Sequence, residues 1–213
     1  MKSYLIVGAL LLIIVALLAT NKKLVETVKN IFKIEDLRKR LIYTCLLILV
    51  YRLGCYVVIP GIDPNLLGEG SALANQMDSN GLLGLLNVFS GGAFANAAIF
   101  ALGVMPYITA SIIIQLLCVA IPALERWSKE EGEEGKKKIN MLTRYTTVGL
   151  GLLMGWAYYM MLSSAGIVTE PGFLTGLVIV ITFTAGSSIV MWLGEQINEF
   201  GIGNGISMIL FAN

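Results

Sequence analysis

Residues 99–121 read IFALGVMPYITASIIIQLLCVAI, and none of these 23 side chains is charged. A helix that crosses a bilayer needs about 20 mostly apolar residues, so the stretch predicts a membrane span. Pro106 sits inside it. Proline removes a backbone donor and clashes with the preceding turn, which predicts a kink or hinge there. Val104 and Ile108 flank the proline four residues apart, on one helix face. Ile206 and Leu210 repeat that spacing near Asn213. Spacing alone reads as ordinary core packing. Thr109, Ser111 and Gln115 are uncharged polar groups in the same span, and such groups mostly hydrogen-bond between helices.

Working outward, the pattern recurs. Residues 4–19 are continuous apolar sequence, a little short of a span. Residues 41–59 are apolar except for Thr44 and Arg52. Residues 146–162 and 175–194 carry no charge, and a further apolar run opens at 206 and is truncated at 213. These stretches are apolar on all sides rather than alternating, so helices are expected and outer-membrane strands are not. The whole chain agrees. Its 213 residues are 56% hydrophobic and 14% charged, where soluble domains are about 25% charged. That balance argues against a soluble enzyme and against a nucleic-acid-binding tail. The 23 glycines suit close helix packing in lipid.

Several kinds of chemistry have no residues to carry them. There is no histidine, which removes His-dependent triads and His-ligated metal sites. Cys45, Cys55 and Cys118 sit singly in apolar stretches, too scattered for a zinc motif or a disulfide framework. Gly201-Ile-Gly-Asn-Gly205 is not a phosphate loop, because it lacks the G-x-G-x-x-G spacing and joins two apolar spans. Its glycines predict a tight turn. The charged run at 130–138 reads as a solvated loop. Glu195 and Glu199 form an i, i+4 pair at a span's edge, with no nucleophile or base beside them. No catalytic residue, cofactor or metal is expected.

The cations orient the chain. Lys22, Lys23, Lys29, Lys33, Arg38, Lys39 and Arg40 lie between the first two spans. Arg126, Lys129, Lys136, Lys137, Lys138 and Arg144 lie between the third and fourth. The connection at 60–98 has no Lys or Arg, and that at 163–174 has only Glu170 as a charge. The positive-inside rule places loops 21–40 and 122–145 in the cytoplasm. Residues 1–20 begin like a signal peptide, but cleavage after Ala19 would put Leu17 where a small residue is wanted. An uncleaved extra helix is preferred. Arg52 is an intramembrane charge about eight residues from its span's outer end, and such a charge is a functional candidate by default. Snorkelling, or pairing with a backbone carbonyl or an acidic group, would make it structural. Residues 81–89, GLLGLLNVF, are less than half of a crossing. They are either a short interfacial helix or a re-entrant segment, and the second option implies a cavity to line it.

Longer strings carry a resemblance. SGGAF at 90–94 followed by IFALGVMPYITASIIIQLL at 99–117 resembles one signature of the SecY family, the channel subunits of the bacterial Sec protein-conducting translocon. WLGEQINEFGIGNGIS at 192–207 resembles the other. DLRKR at 36–40, YRLG at 51–54, IPGID at 59–63 and TRY at 143–145 occur in the family's order. The resemblance covers roughly residues 22–213 and leaves 1–20 without a counterpart.

The resemblance implies an all-α, polytopic integral membrane protein with two inverted five-helix halves around an hourglass pore. Residues 21–213 would be the N-terminal half, stopping just inside the fifth family helix. The C-terminal half would be missing, as in a fragment or a chain completed by another. Gly81, Leu82, Leu83, Gly84, Leu85, Leu86, Asn87, Val88, Phe89 and Ser90 fall where the family places its plug, a short re-entrant helix. Val104 and Ile108, with Ile206 and Leu210, fall on its aliphatic pore ring. Pro106, Thr109 and Gln115 fall on a helix of its lateral gate. The implied function is translocation of unfolded preproteins across the bacterial cytoplasmic membrane, and lateral insertion of membrane helices into it, without enzymatic chemistry. Implied partners are SecE and SecG subunits, the SecA motor or the ribosome, signal sequences and nascent chains, and membrane lipid, with no direct nucleic acid. Half of a small-solute transporter is the alternative, although only Arg52 offers it an ionisable midplane group.

Overall fold

The computed structural model describes residues 33–63, 66–67, 81–129, 132–170 and 172–213. The expected helix at 4–19 lies outside the described residues, as do most of the basic stretch at 22–40 and most of the loop at 65–80. Among the described residues there are seven helices and no strand. Two isolated antiparallel bridges, Val58 with Ala98 and Ile62 with Val168, stitch the connections.

Helix α1, Glu35–Gly54, begins before the apolar run that predicts it. Glu35 and Asp36 favour the positive end of the helix dipole. They pair with Lys39 at 2.9 Å and Arg40 at 3.2 Å, one turn on. The helix also ends before the expected boundary at 59. Residues beyond Gly54 leave helical geometry to bond a distant segment: Ile99 N donates to Val57 O at 2.9 Å and Ile59 N to Ala97 O at 3.3 Å. Arg52 therefore stands in the last turn of α1 rather than within a longer span.

Helix α2, Gly81–Phe89, is followed by turns that run to residue 104. Helix α3, Met105–Ala120, then begins. This corrects the reading of 99–121 as one kinked span. Pro106 lies in the first turn of α3, where a missing N–H orphans no carbonyl and the fixed φ suits helix entry. The proline starts the helix and bends nothing. Helix α4, Pro122–Lys129, and the first turns of α5, Gly132–Ser164, fill the region expected as a loop at 122–145. Helix α6, Phe173–Phe200, and helix α7, Gly205–Ala212, complete the chain. By length and composition α6 alone among the described helices could cross a membrane, and α3 is a shorter apolar helix.

Small residues bring α5 and α6 together, as in helix pairs that pack without a bulky seam. A Cβ on Gly151 would stand 3.2 Å from Ser187 Oγ, and one on Gly155 would stand 3.4 Å from Val180 O. Two apolar clusters form around this pair. One joins the end of α5 and the start of α6 to the turns after α2, through Phe94, Leu102, Tyr158, Leu162 and Phe183. The other joins α1, α6 and α7 to the start of α3, through Tyr51, Phe100, Val104, Leu193 and Ile209.

Candidate functional site

The site is built where α3, α6 and α7 meet. After α6 the chain turns through Gly201-Ile-Gly-Asn-Gly205. Asn204 caps α7 by accepting from Ser207 N at 3.2 Å, and Asn198 Oδ1 accepts from Gly205 N at 2.7 Å. Gly205 rests directly on the carbonyl of Gly194, where a Cβ has no room. This close approach swings α7 back along α6 and sets the direction of Ile206 and Leu210. Thr44 of α1 locks the turn, accepting from Ile202 N at 3.1 Å while donating to Arg40 O at 2.9 Å. The expected tight turn is thus present, and the N–H groups of Gly201, Ile202 and Gly205 are bound within the chain.

The four aliphatic residues singled out by i, i+4 spacing come together here. Val104 belongs to the apolar cluster between α1, α6, α7 and the start of α3, and Ile108, Ile206 and Leu210 pack against that cluster. Val104 is buried, and the other three are half-buried. Val104 is also the residue that caps the start of α3. Val104 and Ile108 thus lie at the start of α3, and Ile206 and Leu210 lie one turn apart on α7.

Residues 81–89 form a helix. Leu83 and Leu86 of α2 face Leu102, Met105, Met154 and Tyr158 across an apolar cavity of about 270 Å³. The cavity is roomy, and its methionines are unbranched and adaptable. The turn after α2 is tied in several places. Asn87 Oδ1 accepts from Ala95 N at 2.9 Å, and Ser90 Oγ accepts from Phe94 N at 3.0 Å. The Tyr158 hydroxyl, buried, donates to Phe94 O.

Arg52 takes the carbonyl option. Its Nη1 donates to Gly91 O at 3.0 Å and its Nη2 to Asn213 O at 3.4 Å. The gate candidates lie along α3: Pro106 is buried, Thr109 half-buried and Gln115 exposed. Gln115 Nε2 donates to Ser111 Oγ at 3.0 Å, one turn back on its own helix, rather than across to a neighbour. Gln115 and Ser111 also line a small polar cavity of about 120 Å³ with Tyr107, Asn140, Thr143 and Glu195. Glu195 is engaged by Arg144 in a two-pronged pair, at 3.0 and 2.8 Å. This pairing ties α5 to α6 beside the cavity. No group of His, Cys, Asp or Glu able to hold a metal occurs among the described residues.

Sequence reasoning did not single out Asn198, Asn204, Tyr158 or Asn213. For Asn204 a signal existed, since Asn three residues before Ser207 matches a helix N-cap. Tyr158 and Asn213 act on carbonyls remote in sequence, and nothing local marks them.

Comparison with known proteins places this geometry. The family model described as SecY matches residues 98–213, more than half of the chain. A protein translocase subunit SecY of Bacillus licheniformis is 42% identical over 191 residues, covering 88% of this chain and 42% of that protein. The SecY subunit of Streptomyces griseus is 46% identical over 192 residues, covering 85% and 43%. Among solved structures, Sec61 in the canine ribosome-channel complex superposes with a TM-score of 0.58 at 18% identity, over 82% of this chain and 36% of that one. That likeness establishes a shared fold. The chain spans less than half the length of the curated relatives it matches. On its sequence relatives, its matched family model and its fold, the chain belongs to the SecY family.

Proposed function

We propose that this chain supplies the N-terminal half of a protein-conducting channel in the bacterial cytoplasmic membrane. It passes unfolded preproteins across the bilayer and releases apolar segments sideways into lipid. The observation that carries the reading is the convergence of Val104, Ile108, Ile206 and Leu210 on one apolar cluster between α6, α7 and the start of α3. Such side chains can close around a passing polypeptide and exclude hydrated ions without binding the chain chemically. Helix α2, beside the start of α3, is the plug. Pro106, Thr109 and Gln115 belong to the wall that opens sideways. Channel work needs no bond-making chemistry, so the chain is not an enzyme. Driving energy comes from a SecA motor or a ribosome, and SecE and SecG subunits with the C-terminal half complete the pore. The chain crosses the membrane several times, with 21–40 and 122–145 in the cytoplasm.

The transporter reading needs an ionisable group free to meet a solute, and Arg52 is held by two backbone carbonyls. The test is a Val104→Cys channel, assembled with its partner subunits and carrying a preprotein stalled in transit with a single cysteine. A disulfide between the two, absent when the cysteine is moved to exposed Tyr145, is the expected result. Equal cross-linking at both positions, or none at Val104, overturns the reading.

A further inference from the structure

Three consecutive carbonyls follow α2, those of Phe89, Ser90 and Gly91, and side chains from elsewhere reach all three. Asn213 Nδ2 donates to Phe89 O at 2.6 Å. Arg52 Nη1 donates to Gly91 O at 3.0 Å. Between them, the Cys55 thiol makes a long contact of 3.7 Å to Ser90 O. Arg52 Nη2 also reaches Asn213 O at 3.4 Å, so the two outer holders are tied to each other. The carbonyls belong to the bend where the chain leaves α2. There Gly91 N closes on Val88 O and Gly92 N on Asn87 O, each at 3.0 Å. Gly91 has φ +63°, and a Cβ on it would run into Arg52 Nη1 and stand 2.7 Å from Asn213 Oδ1.

The choice of partners is informative. An arginine in the last turn of a helix can satisfy its own helix's final carbonyls and dipole. Arg52 instead spends its donors on another segment and another helix. Asn213 follows α7, the helix that carries Ile206 and Leu210. A charge-assisted hydrogen bond away from bulk water is among the stronger kinds.

We propose that Arg52 and Asn213 form a clasp on the hinge of α2, positioning the short helix while the channel is at rest and coupling it to α7. The inference rests on the reading of α2 as a plug and deepens it by naming what holds the plug and what releases it. When a polypeptide parts Ile206 and Leu210 from the apolar cluster they pack against, α7 shifts, Asn213 leaves Phe89 O, and Arg52 loses its second acceptor. Of the clasp only the bond from Arg52 to Gly91 O then remains, and the bend swings together with the turns that Asn87 and Ser90 hold.

The test uses the full-length channel, assembled with its partner subunits, in lipid. Amide hydrogen exchange over residues 81–92 reads the clasp directly, and resting ion conductance across a planar bilayer reads the plug. Asn213→Ala and Arg52→Gln should each speed exchange there about fivefold, as expected for losing one hydrogen bond. Both should also raise resting conductance while preprotein transport persists. Arg52→Lys, which keeps the charge and one donor, should recover part of the protection. Gly91→Ala attacks the clasp from the other side and should match Arg52→Gln. If Arg52→Gln fails to assemble, Asn213→Ala and Gly91→Ala carry the test. Unchanged exchange over 81–92 in those two overturns the clasp. Faster exchange with unchanged conductance upholds the clasp and overturns the plug reading instead.

Discussion

Helices α5 and α6 and the turns between α2 and α3 both lean on glycine, and they use it in opposite ways. In the helix pair, Gly151 and Gly155 keep helical geometry and let backbones approach until Ser187 Oγ and Val180 O lie just beyond where a methyl would sit. In the turns, Gly91 and Gly103 take positive φ, at 63° and 51°, and regular structure stops. The first use produces a wall with many side-chain contacts. The second produces a joint whose shape depends on a few hydrogen bonds to Asn87, Ser90, Tyr158 and Arg52. The proposed channel role needs both: a frame that holds its geometry and a part that can be moved at small cost.

The two regions meet at Gly186, whose Cβ position is taken by the carbonyl of Ile99. Replacing Gly186 by valine should have the largest effect, because a backbone carbonyl has little freedom to retreat. Destabilisation of about 3 kcal/mol, at the upper end of overpacking costs, is expected in chemical unfolding of the full-length protein. Unchanged stability would mean that the turns yield freely, and the wall–joint distinction would become one of degree. Tyr158→Phe comes next. It removes the buried hydroxyl that ties α5 to Phe94 O, while that carbonyl keeps its bond from Ala97 N at 3.2 Å, for a loss of about 1 kcal/mol. Hydrogen exchange should rise in the turns and stay fixed in α5; equal rises in both would break the comparison. The smallest effect belongs to Arg144→Ala. The Arg144–Glu195 pair joins α5 to α6 within the wall, but its partners are 53% and 24% exposed and screened by solvent. Its loss should cost about 0.5 kcal/mol or less, shrinking further in high salt.

Much of the frame was readable from apolar runs and charge. Residues 175–194 lie wholly inside α6, and 146–162 wholly inside α5. Where the reading failed, it treated hydropathy as if it were conformation. Residues 55–59 and 99–104 are as apolar as the helices beside them. Yet Val57 and Ile59 bond to Ile99 and Ala97, and the backbone leaves the helix on both sides of that pairing. A run of apolar residues cannot announce a partner 40 positions away. Pro106 was a readable signal taken in the wrong sense, since Gly103 just before it favours a helix start over a kink. The start of α5 was missed because its charges read as a loop, whereas Lys138 packs over the Trp127 ring at 5.6 Å. The aliphatic pairs were visible as spacing. Their convergence depends on the Gly194–Gly205 contact, which only the folded chain displays.

The length of α5 has a mechanical consequence. Its 33 residues, at about 1.5 Å each, make a rod of roughly 50 Å, against roughly 30 Å for the oily layer of a bilayer. Lys136, Lys137 and Lys138 sit near one end and Tyr158 near the other. A stiff rod transmits displacement with little loss along its length. A push delivered at the lysines therefore arrives at the tyrosine, and through its hydroxyl at Phe94 and the joint beyond it. The chain thus contains a lever whose handle and working tip belong to one unbroken helix.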